Sequence, residues 1–327
     1  MFANQPVEQI DREQLRALQL TRLQKQLKWA EEKSSFYRRH FQAAGVTSKD
    51  VNSLADIAKL PLLTLEKLYQ IDTMDIVTLP LSAAIRFNVT KQAEKTWVKV
   101  YTNGDVARHV ELMTRCLVAV GVNNASIVAL QGDFTDSKVL DIQYALEMIG
   151  ATVVPMGLDY KQWMEVYESI HCDTLITTPA LMMQVSIHLR AQGCKLEGAT
   201  LKRVICMNSQ GLTNALHYHI TTTTGAKVYN LYTPTELNLG SLLYQCEKHN
   251  GYHIQEDCFY PELLAFGSDK VINEPNVMGE LVVTSLVAEA MPLIRYRTGQ
   301  SVMMTHEPCA CGRTLSRVVT PLSSCNY

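Results

Sequence analysis

The stretch "SIVALQGDFTDSKVLDIQYALEMIGATVVPMG", residues 126–157, decides the fold. Two short apolar runs, 126–132 and 152–157, enclose a helical stretch at 138–151. Strand, helix and strand in this order predict two parallel strands joined by a covering helix, because parallel strands need a long crossover connection. We therefore predict an α/β protein built around a parallel sheet that is covered on both faces.

The same alternation continues toward the C-terminus. Further strands are predicted at 173–179, 201–208 and 227–233, and further helices at 160–171, 180–193 and 213–226. We divide the chain, as one continuous domain, into a helical segment packed on the core (1–85), an α/β parallel-sheet core (86–241) and a β-rich subregion (242–327).

Composition excludes several classes of function. The 327 residues are 47% hydrophobic with a formal net charge of −2, which is typical of a globular protein and indicates neither a nucleic-acid partner nor a membrane surface. We find no signal peptide and no apolar stretch of about 18 residues, so we expect a cytoplasmic location. The nine cysteines are scattered, which favours reduced thiols over a disulfide framework.

Four residues have the types and spacing of zinc ligands. Cys309 and Cys311 flank Ala310 in a polar turn, and Cys246 and His253 lie upstream on a predicted hairpin. Three thiolates and one imidazole form a common structural zinc set. A zinc here would stabilise the β-rich subregion and would not take part in a reaction.

Two other residues compete for the fourth position, and a simpler interpretation exists. His249 and Cys258 are alternative ligands. C-x-C is a less specific pattern than C-x-x-C, and the four residues can also be unrelated reduced side chains.

Five segments carry a family resemblance over nearly the whole chain, in order: "LQLTRLQKQLKWAEEKSSFYRRHFQAAGV", "IGATVVPMG", "GYHIQEDCFYPELL", "GELVVTSLVAEAMPLIRYRTGQ" and "PCACGRT". Together they resemble the phenylacetate–coenzyme A ligases and coenzyme F390 synthetase-like proteins, which are adenylate-forming enzymes. The resemblance implies a large N-terminal domain of layered sheets and helices with a distorted β-barrel. Some members of this family carry a zinc at the predicted position.

The resemblance also implies a two-step reaction and a nucleotide site. A carboxylate attacks ATP to form an acyl adenylate, and coenzyme A then displaces AMP. The segment "YTPTE", 232–236, matches the nucleotide motif, so Tyr232 would stack on adenine, Thr235 would approach phosphate and Glu236 would hold Mg²⁺. A polar turn after a buried strand is the alternative interpretation.

Gln300 departs from the family pattern. The family has an aspartate here, whose two oxygens accept the ribose hydroxyls, whereas an amide has only one acceptor oxygen. The loss of a charge-assisted pair costs roughly 1.5–3 kcal/mol. We expect Arg295 and Arg297, just before it, to be ion-pair partners within the protein.

The phosphate loop departs further. Its counterpart, "VTKQAEKT" at 89–96, keeps Thr90 and Lys95 but has no glycine, and none occurs between Gly45 and Gly104. Glycine lets backbone N–H groups approach a phosphate closely. The segments "NSQG" (208–211) and "GDFTDSK" (132–138) also differ, and the sequence stops before the small C-terminal domain of the family. We therefore expect that domain to be absent.

Three hypotheses follow. In the first, the chain is a degenerate homologue that does not carry out full adenylation alone, and it binds an acyl, aryl or nucleotide-like molecule or serves as a partner subunit. In the second, it is an active minimal ligase that forms an acyl adenylate or thioester from an aromatic carboxylate. In the third, it is a structural interaction protein. The departures argue against ordinary use of ATP, AMP, Mg²⁺ and coenzyme A. The expected partners are a small-molecule acid or an acyl-CoA, and a second copy of the chain or a partner protein.

Overall fold

The computed structural model describes residues 1–92, 95–159, 165–166, 169–191, 201–208, 212–237, 240–274, 276–319 and 323–324. Its helices are α1 Gln5–Glu8, α2 Arg12–Lys33, α3 Ser35–Ala43, α4 Leu65–Gln70, α5 Thr73–Ile76, α6 Asn103–Ala119, α7 Ser137–Ile149, α8 Pro179–Ala191 and α9 Asn214–Thr224. Short 3₁₀ turns occupy Ser48–Asp50, Leu54–Lys59 and Leu81–Ala83. Among these residues, none of the helices is long and apolar enough to cross a membrane.

The strands form one hairpin and one large sheet. They are β1 Arg86–Gln92, β2 Lys95–Tyr101, β3 Ile127–Gln131, β4 Thr152–Met156, β5 Thr174–Thr177, β6 Arg203–Asn208, β7 Lys227–Tyr232, β8 Leu243–Tyr244, β9 Tyr252–Ile254, β10 Phe259–Leu264, β11 Met278–Ser285, β12 Tyr296–Thr305, β13 Arg317–Val318 and β14 Ser323–Ser324. Strands β1 and β2 pair antiparallel in a hairpin of their own.

Strands β3 to β7 form the predicted parallel sheet, in the order β7-β6-β5-β3-β4. All four residues of β5 are buried, as expected of a parallel strand that is covered on both faces. Helices α6 and α7 pack on one face, with Leu117 and Leu146 in a shared apolar cluster. Met182 of α8 and Ile220 of α9 belong to a second cluster that covers central strands. The predicted α/β alternation is therefore confirmed over these residues, while most of the helix predicted at 160–171 lies outside them.

The C-terminal strands extend the same sheet in an antiparallel manner. Beyond β7 the order continues through β8, β9, β13, β12, β11 and β10, and β14 pairs with β12. No closed ring of strands is described within these residues, so the distorted barrel stays a prediction.

The N-terminal helices pack on the C-terminal strands. The Asp11 side chain caps α2 by accepting from the backbone N–H of Glu13 and Gln14. The buried face of α2, including Leu23 and Leu27, shares one apolar cluster with residues of β10 to β12. Thr64 caps α4, and its hydroxyl oxygen accepts a 3.2 Å hydrogen bond from the backbone N–H of Lys67.

Candidate functional site

A cavity lies where the parallel strands end. The chain runs from β3 to β4 and then to β5, although β4 and β5 lie on opposite sides of β3. Ligands of open α/β sheets bind at such a reversal, outside the carboxyl ends of the strands. The cavity has a volume of about 330 Å³, which suits a small organic molecule. Its lining residues are Thr90, Lys99, Gly132, Asp133, Asp136, Lys138, Val139, Leu158, Thr178, Leu181, Met207 and Thr235.

Two lysines bring ammonium groups to this cavity. Lys99 of β2 is 5% exposed, and its Nζ donates a 3.0 Å hydrogen bond to the carbonyl oxygen of Thr235. Burial lowers the pKa of Lys99, although Asp136, Glu236 and other carboxylates oppose this effect. Burial and the charge of Lys99 likewise lower the pKa of Lys138, near the start of α7. Neither lysine is among the site residues predicted from the sequence.

A histidine–aspartate pair lies beside these lysines. His109 of α6 is 4% exposed, and its Nδ1 lies 2.8 Å from an Oδ2 of Asp141 on α7. Arg86 of β1 donates to the other oxygen of Asp141. The Tyr101 ring packs edge-on against His109, with ring centroids 5.2 Å apart. Asp141 is therefore held by Arg86 while it orients the imidazole.

The predicted nucleotide residues lie at the end of β7 and directly after it, and two of the three are deeply buried. Tyr232 is 1% exposed, and burial raises the pKa of its hydroxyl. Glu236 is 6% exposed and accepts hydrogen bonds from Tyr69, at 3.2 Å, and from Tyr296, at 3.0 Å. Thr235 alone of the three lines the cavity.

Gln300 lies on β12, away from the cavity lining. Its side chain is 5% exposed, and its Oε1 is buried with no hydrogen-bond partner among the described residues. The two preceding arginines form ion pairs, as predicted from the sequence. Arg295 pairs with Glu262, and Arg297 pairs with Glu280.

The predicted phosphate loop forms the end of the β1–β2 hairpin. Ala93 and Glu94 lie outside the described residues, whereas the backbone of Gln92 pairs with that of Lys95. Trp97 is 3% exposed and packs edge-on against Tyr69, in the core that joins the N-terminal helices to the C-terminal strands. Trp97 does not line the cavity. Most of the segment 208–211 also lies outside the described residues.

The four predicted zinc ligands converge. Their ligand atoms, from Cys246, His253, Cys309 and Cys311, all lie within 4.8 Å of one another. The sulfur atoms of Cys246 and Cys309 are 3.9 Å apart, and Cys311 Sγ lies 3.5 Å from Nε2 of His253. Zn–S bonds of about 2.3 Å in a tetrahedron give sulfur–sulfur edges of about 3.8 Å. The donor set and its spacing fit a tetrahedral Zn²⁺.

Neither rival ligand belongs to this group. The ring of His249 stacks on Tyr229, with centroids 4.5 Å apart, and the Cys258 thiol donates to Asp257. A hydrogen bond between Cys246 and Cys311 lowers the pKa of Cys311 and raises the pKa of Cys246.

Solved structures define the class of protein to which this fold belongs. The chain resembles 2-hydroxyisobutyryl-CoA ligase in complex with 2-HIB-AMP and CoA. In an open conformation of that enzyme, the TM-score is 0.90 at 19% identity, covering 98% of this chain and 76% of the other. In its thioesterification state, the TM-score is 0.91 at 20% identity, covering 99% and 70%. The fold is therefore that of the large domain of adenylate-forming CoA ligases.

Sequence comparison narrows this class to a family. No family model matches the chain. The phenylacetate-coenzyme A ligase of Thermus thermophilus is 30% identical over 325 residues, which cover 97% of this chain and 72% of that protein. The enzyme of the same name from Escherichia coli is 31% identical over 300 residues, covering 90% and 68%. The chain belongs to the phenylacetate–coenzyme A ligase family.

Proposed function

We propose that this chain is a small-molecule-binding member of the family that does not carry out ATP-dependent activation by itself. Its ligand is a small organic acid or the acyl derivative of one, bound in the cavity at the carboxyl ends of β3 and β5. The hydrogen bonding of Glu236 carries this proposal. Its carboxylate, predicted to hold Mg²⁺, is buried under two tyrosine hydroxyls.

The surroundings of Glu236 support the loss of nucleotide chemistry. A Mg²⁺ ion bound to ATP keeps several waters, so its protein ligand must face solvent or phosphate. Glu236 is 6% exposed, and Tyr232, which would stack on adenine, is 1% exposed. Tyr69 and Tyr296 would have to move before Glu236 could reach a metal. Gln300 would also bind the ribose hydroxyls more weakly than an aspartate, because its amide has only one acceptor oxygen.

The cavity supports the retention of a ligand. It has a molecular-sized volume and combines apolar side chains, such as Val139 and Leu181, with a few charged groups. A cleft of about 720 Å³ between α2 and residues 286–289 is larger, but it lies away from the carboxyl ends of the parallel strands. The smaller cavity is therefore the better candidate for the ligand.

Thermal unfolding with separate ligands tests the proposal, because a ligand that binds only the folded state raises the Tm. We expect a shift with organic acids or acyl-CoA, no shift with ATP·Mg²⁺, and no pyrophosphate release with a panel of carboxylates. A Tm shift with ATP·Mg²⁺ together with pyrophosphate release would overturn it. No shift with any ligand would favour the purely structural hypothesis.

An active minimal ligase is the second candidate. Thr90 and Thr235 both line the cavity, so two hydroxyls that the family pattern assigns to phosphate binding still face one space. Formation of an acyl adenylate or a thioester by the isolated chain would establish this alternative.

We also propose a structural Zn²⁺ held by Cys246, His253, Cys309 and Cys311. The distances between the ligand atoms support it. The ion would join the segment 246–253 to the turn 309–311. Seven cysteines among the described residues form no disulfide bond, and three of these are the proposed zinc ligands; both states of the thiol support a reducing compartment such as the cytoplasm.

A further inference from the structure

The cleft between α2 and residues 286–289 is a second cavity of molecular size. Its volume of about 720 Å³ lies within the range of small-molecule sites. Trp29, Leu79 and Val287 form an apolar wall, and the Trp29 side chain is 37% exposed there. Residues of the first turns of α6 also line the cleft. It shares none of its lining residues with the proposed ligand cavity.

The backbone at 288–289 fixes the shape of this cleft. Nε2 of Gln26 donates a 2.9 Å hydrogen bond to the carbonyl oxygen of Ala288. Nε1 of Trp29 donates a 3.1 Å hydrogen bond to the carbonyl oxygen of Glu289. Both donors lie on α2, so the helix and the segment that faces it are tied together. The cleft is therefore formed before a ligand binds.

The start of α6 is already engaged within the protein. The Glu289 carboxylate accepts a 2.5 Å hydrogen bond from the hydroxyl of Thr102, the residue that caps this helix. Gly104 permits this approach, because a Cβ there would lie 2.2 Å from Oε1 of Glu289. Asp105 accepts from the backbone N–H groups of residues 289 and 290. A ligand in this cleft must therefore be held by other groups.

Three cations line the cleft from two helices. Arg22 and Lys25 lie on one face of α2, and Arg108 lies on α6. Among the described residues that line the cleft, Glu289 is the only acidic one. Lys25 is exposed and forms no ion pair with any described residue. The side chains at this cleft therefore favour an anion.

The two arginines are only partly neutralised by their ion-pair partners. Asp257 pairs with Arg22 at 3.5 Å and with the buried Arg115 at 2.9 Å. Glu111 pairs with Arg108 and also with Arg115. Three guanidinium groups therefore share two carboxylates. The side chains of Arg22 and Arg108 are 26% and 33% exposed, so both can still contact a ligand.

The charges from the two helices act on one region. Burial and the charge of Asp257 raise the pKa of the Cys258 thiol, and the charges of Arg115, Arg108 and Arg22 oppose this effect. Cations that lie close together repel one another, and an anion between them offsets the repulsion.

We propose that this cleft binds the phosphate group of a small phosphate monoester. Arg22 and Lys25 hold the phosphate from α2, and Arg108 holds it from α6. Guanidinium groups bind phosphate oxygens in pairs, and a phosphate dianion interacts with several cations more strongly than a single carboxylate does. The organic part of the ester lies against the apolar wall. This site is separate from the ligand cavity and does not depend on the proposed function.

Titration calorimetry with three probes tests the site: phenyl phosphate, inorganic phosphate and phenol. Inorganic phosphate lacks the ring, and phenol lacks the charge. We expect phenyl phosphate to bind at least tenfold more tightly than either of the other two. Its affinity should fall as NaCl is added, because salt screens partly exposed charges.

Variants connect the binding to the named residues. Arg108→Met should weaken phenyl phosphate at least tenfold, and Lys25→Met at least threefold. Lys25 is exposed and unpaired, so its replacement should leave folding intact even if Arg108→Met does not fold. Lys28→Met is the matched control on α2, because Lys28 is 70% exposed and pairs with Glu32 outside the cleft. Lys138→Met, in the ligand cavity, should also bind as the parent does. The Tm of each variant, measured without ligand, verifies folding.

The contrary outcomes are distinct. If phenyl phosphate does not bind, or binds equally well to a folded Lys25→Met variant and to the parent, the site is overturned. Equal affinity for phenyl phosphate and inorganic phosphate would overturn the assignment to a monoester. Binding that is lost in Lys138→Met but kept in Arg108→Met would place the phosphate in the ligand cavity instead. None of these results bears on the binding of organic acids, so the proposed function is tested separately.

Discussion

The hydroxyl of Tyr296 donates a 3.0 Å hydrogen bond to Oε2 of Glu236, and this bond joins β12 to the loop that follows β7. Tyr296 is 2% exposed, so water cannot replace the lost donor in a Tyr296→Phe variant. A hydrogen bond to a charged group contributes about 1.5–3 kcal/mol. We predict that this substitution lowers the free energy of unfolding by about that amount, as measured by urea denaturation.

The second tyrosine supplies the matched control. Tyr69 donates to the other oxygen of Glu236 at 3.2 Å, but its side chain is partly exposed. Water can therefore replace its hydroxyl, and Tyr69→Phe should cost less than Tyr296→Phe. If both substitutions cost the same, or neither costs anything, Glu236 is not held in the manner described.

Zinc content is the second prediction. The purified chain should contain about one Zn²⁺ per molecule by elemental analysis, and removal by a chelator should lower the Tm, because the ion binds only the folded arrangement. Cys309→Ser and Cys311→Ser should each reduce the zinc content and the Tm. Cys172→Ser, at a buried cysteine outside the cluster, should keep the full content. A metal-free chain whose Tm does not respond to a chelator would contradict the zinc site.

A third prediction concerns the buried ion pair of Arg295. Arg295 is 2% exposed. It donates two hydrogen bonds to Glu262 and one each to the carbonyl oxygens of Ala58 and Leu60. Arg295→Met leaves the buried Glu262 carboxylate without its partner. The loss of one member of such a pair costs about 3–5 kcal/mol, so we expect destabilisation of that order in urea.

A double variant separates the ion pair from simple packing. Burial raises the pKa of Glu262, and the charge of Arg295 opposes this effect. When Glu262→Leu is combined with Arg295→Met, no carboxylate is left uncompensated, so the double variant should be more stable than the sum of the single effects predicts. Strict additivity would indicate that the two side chains do not interact.

The sequence predicts the parallel core well because its physical signals are local. Strand β5 is buried along its whole length and therefore reads as a short apolar run bounded by turns. The start of α4 is readable because Thr64 caps it through a residue only three positions away. The convergence of Cys246, His253, Cys309 and Cys311 was also predictable, since each pair of residues lies close in sequence although the pairs are far apart.

The charged and polar side chains at the cavity could not be predicted from the sequence. His109 and Asp141 are 32 residues apart on two different helices, and their contact depends on how α6 packs against α7. Lys99 occupies one position of an alternating strand, and nothing in that pattern distinguishes a buried lysine from an exposed one. Only Lys138 gave a weak local signal of a functional site, because a cation is unfavourable at the start of a helix.

The last prediction rests on His40, which is neutral in the folded protein. It is 7% exposed, its ring stacks on Phe36, and its Nδ1 lies 2.9 Å from Nζ of Lys67. Burial, together with the charge of Lys67, lowers the pKa of His40 from 6.5 to about 4. Between these two values the unfolded chain binds a proton that the folded chain does not bind.

Stability should therefore fall as the pH decreases from 6.5 to about 4, because protonation favours the unfolded state in this window. We expect His40 to contribute a loss of about 1–3 kcal/mol, measured as the free energy of unfolding in urea at each pH. His40→Gln cannot take up the proton, so its stability should decrease less over the same window. Other groups titrate identically in both proteins, and the difference between the two curves isolates His40. Parallel curves would mean that folding does not lower the pKa of His40.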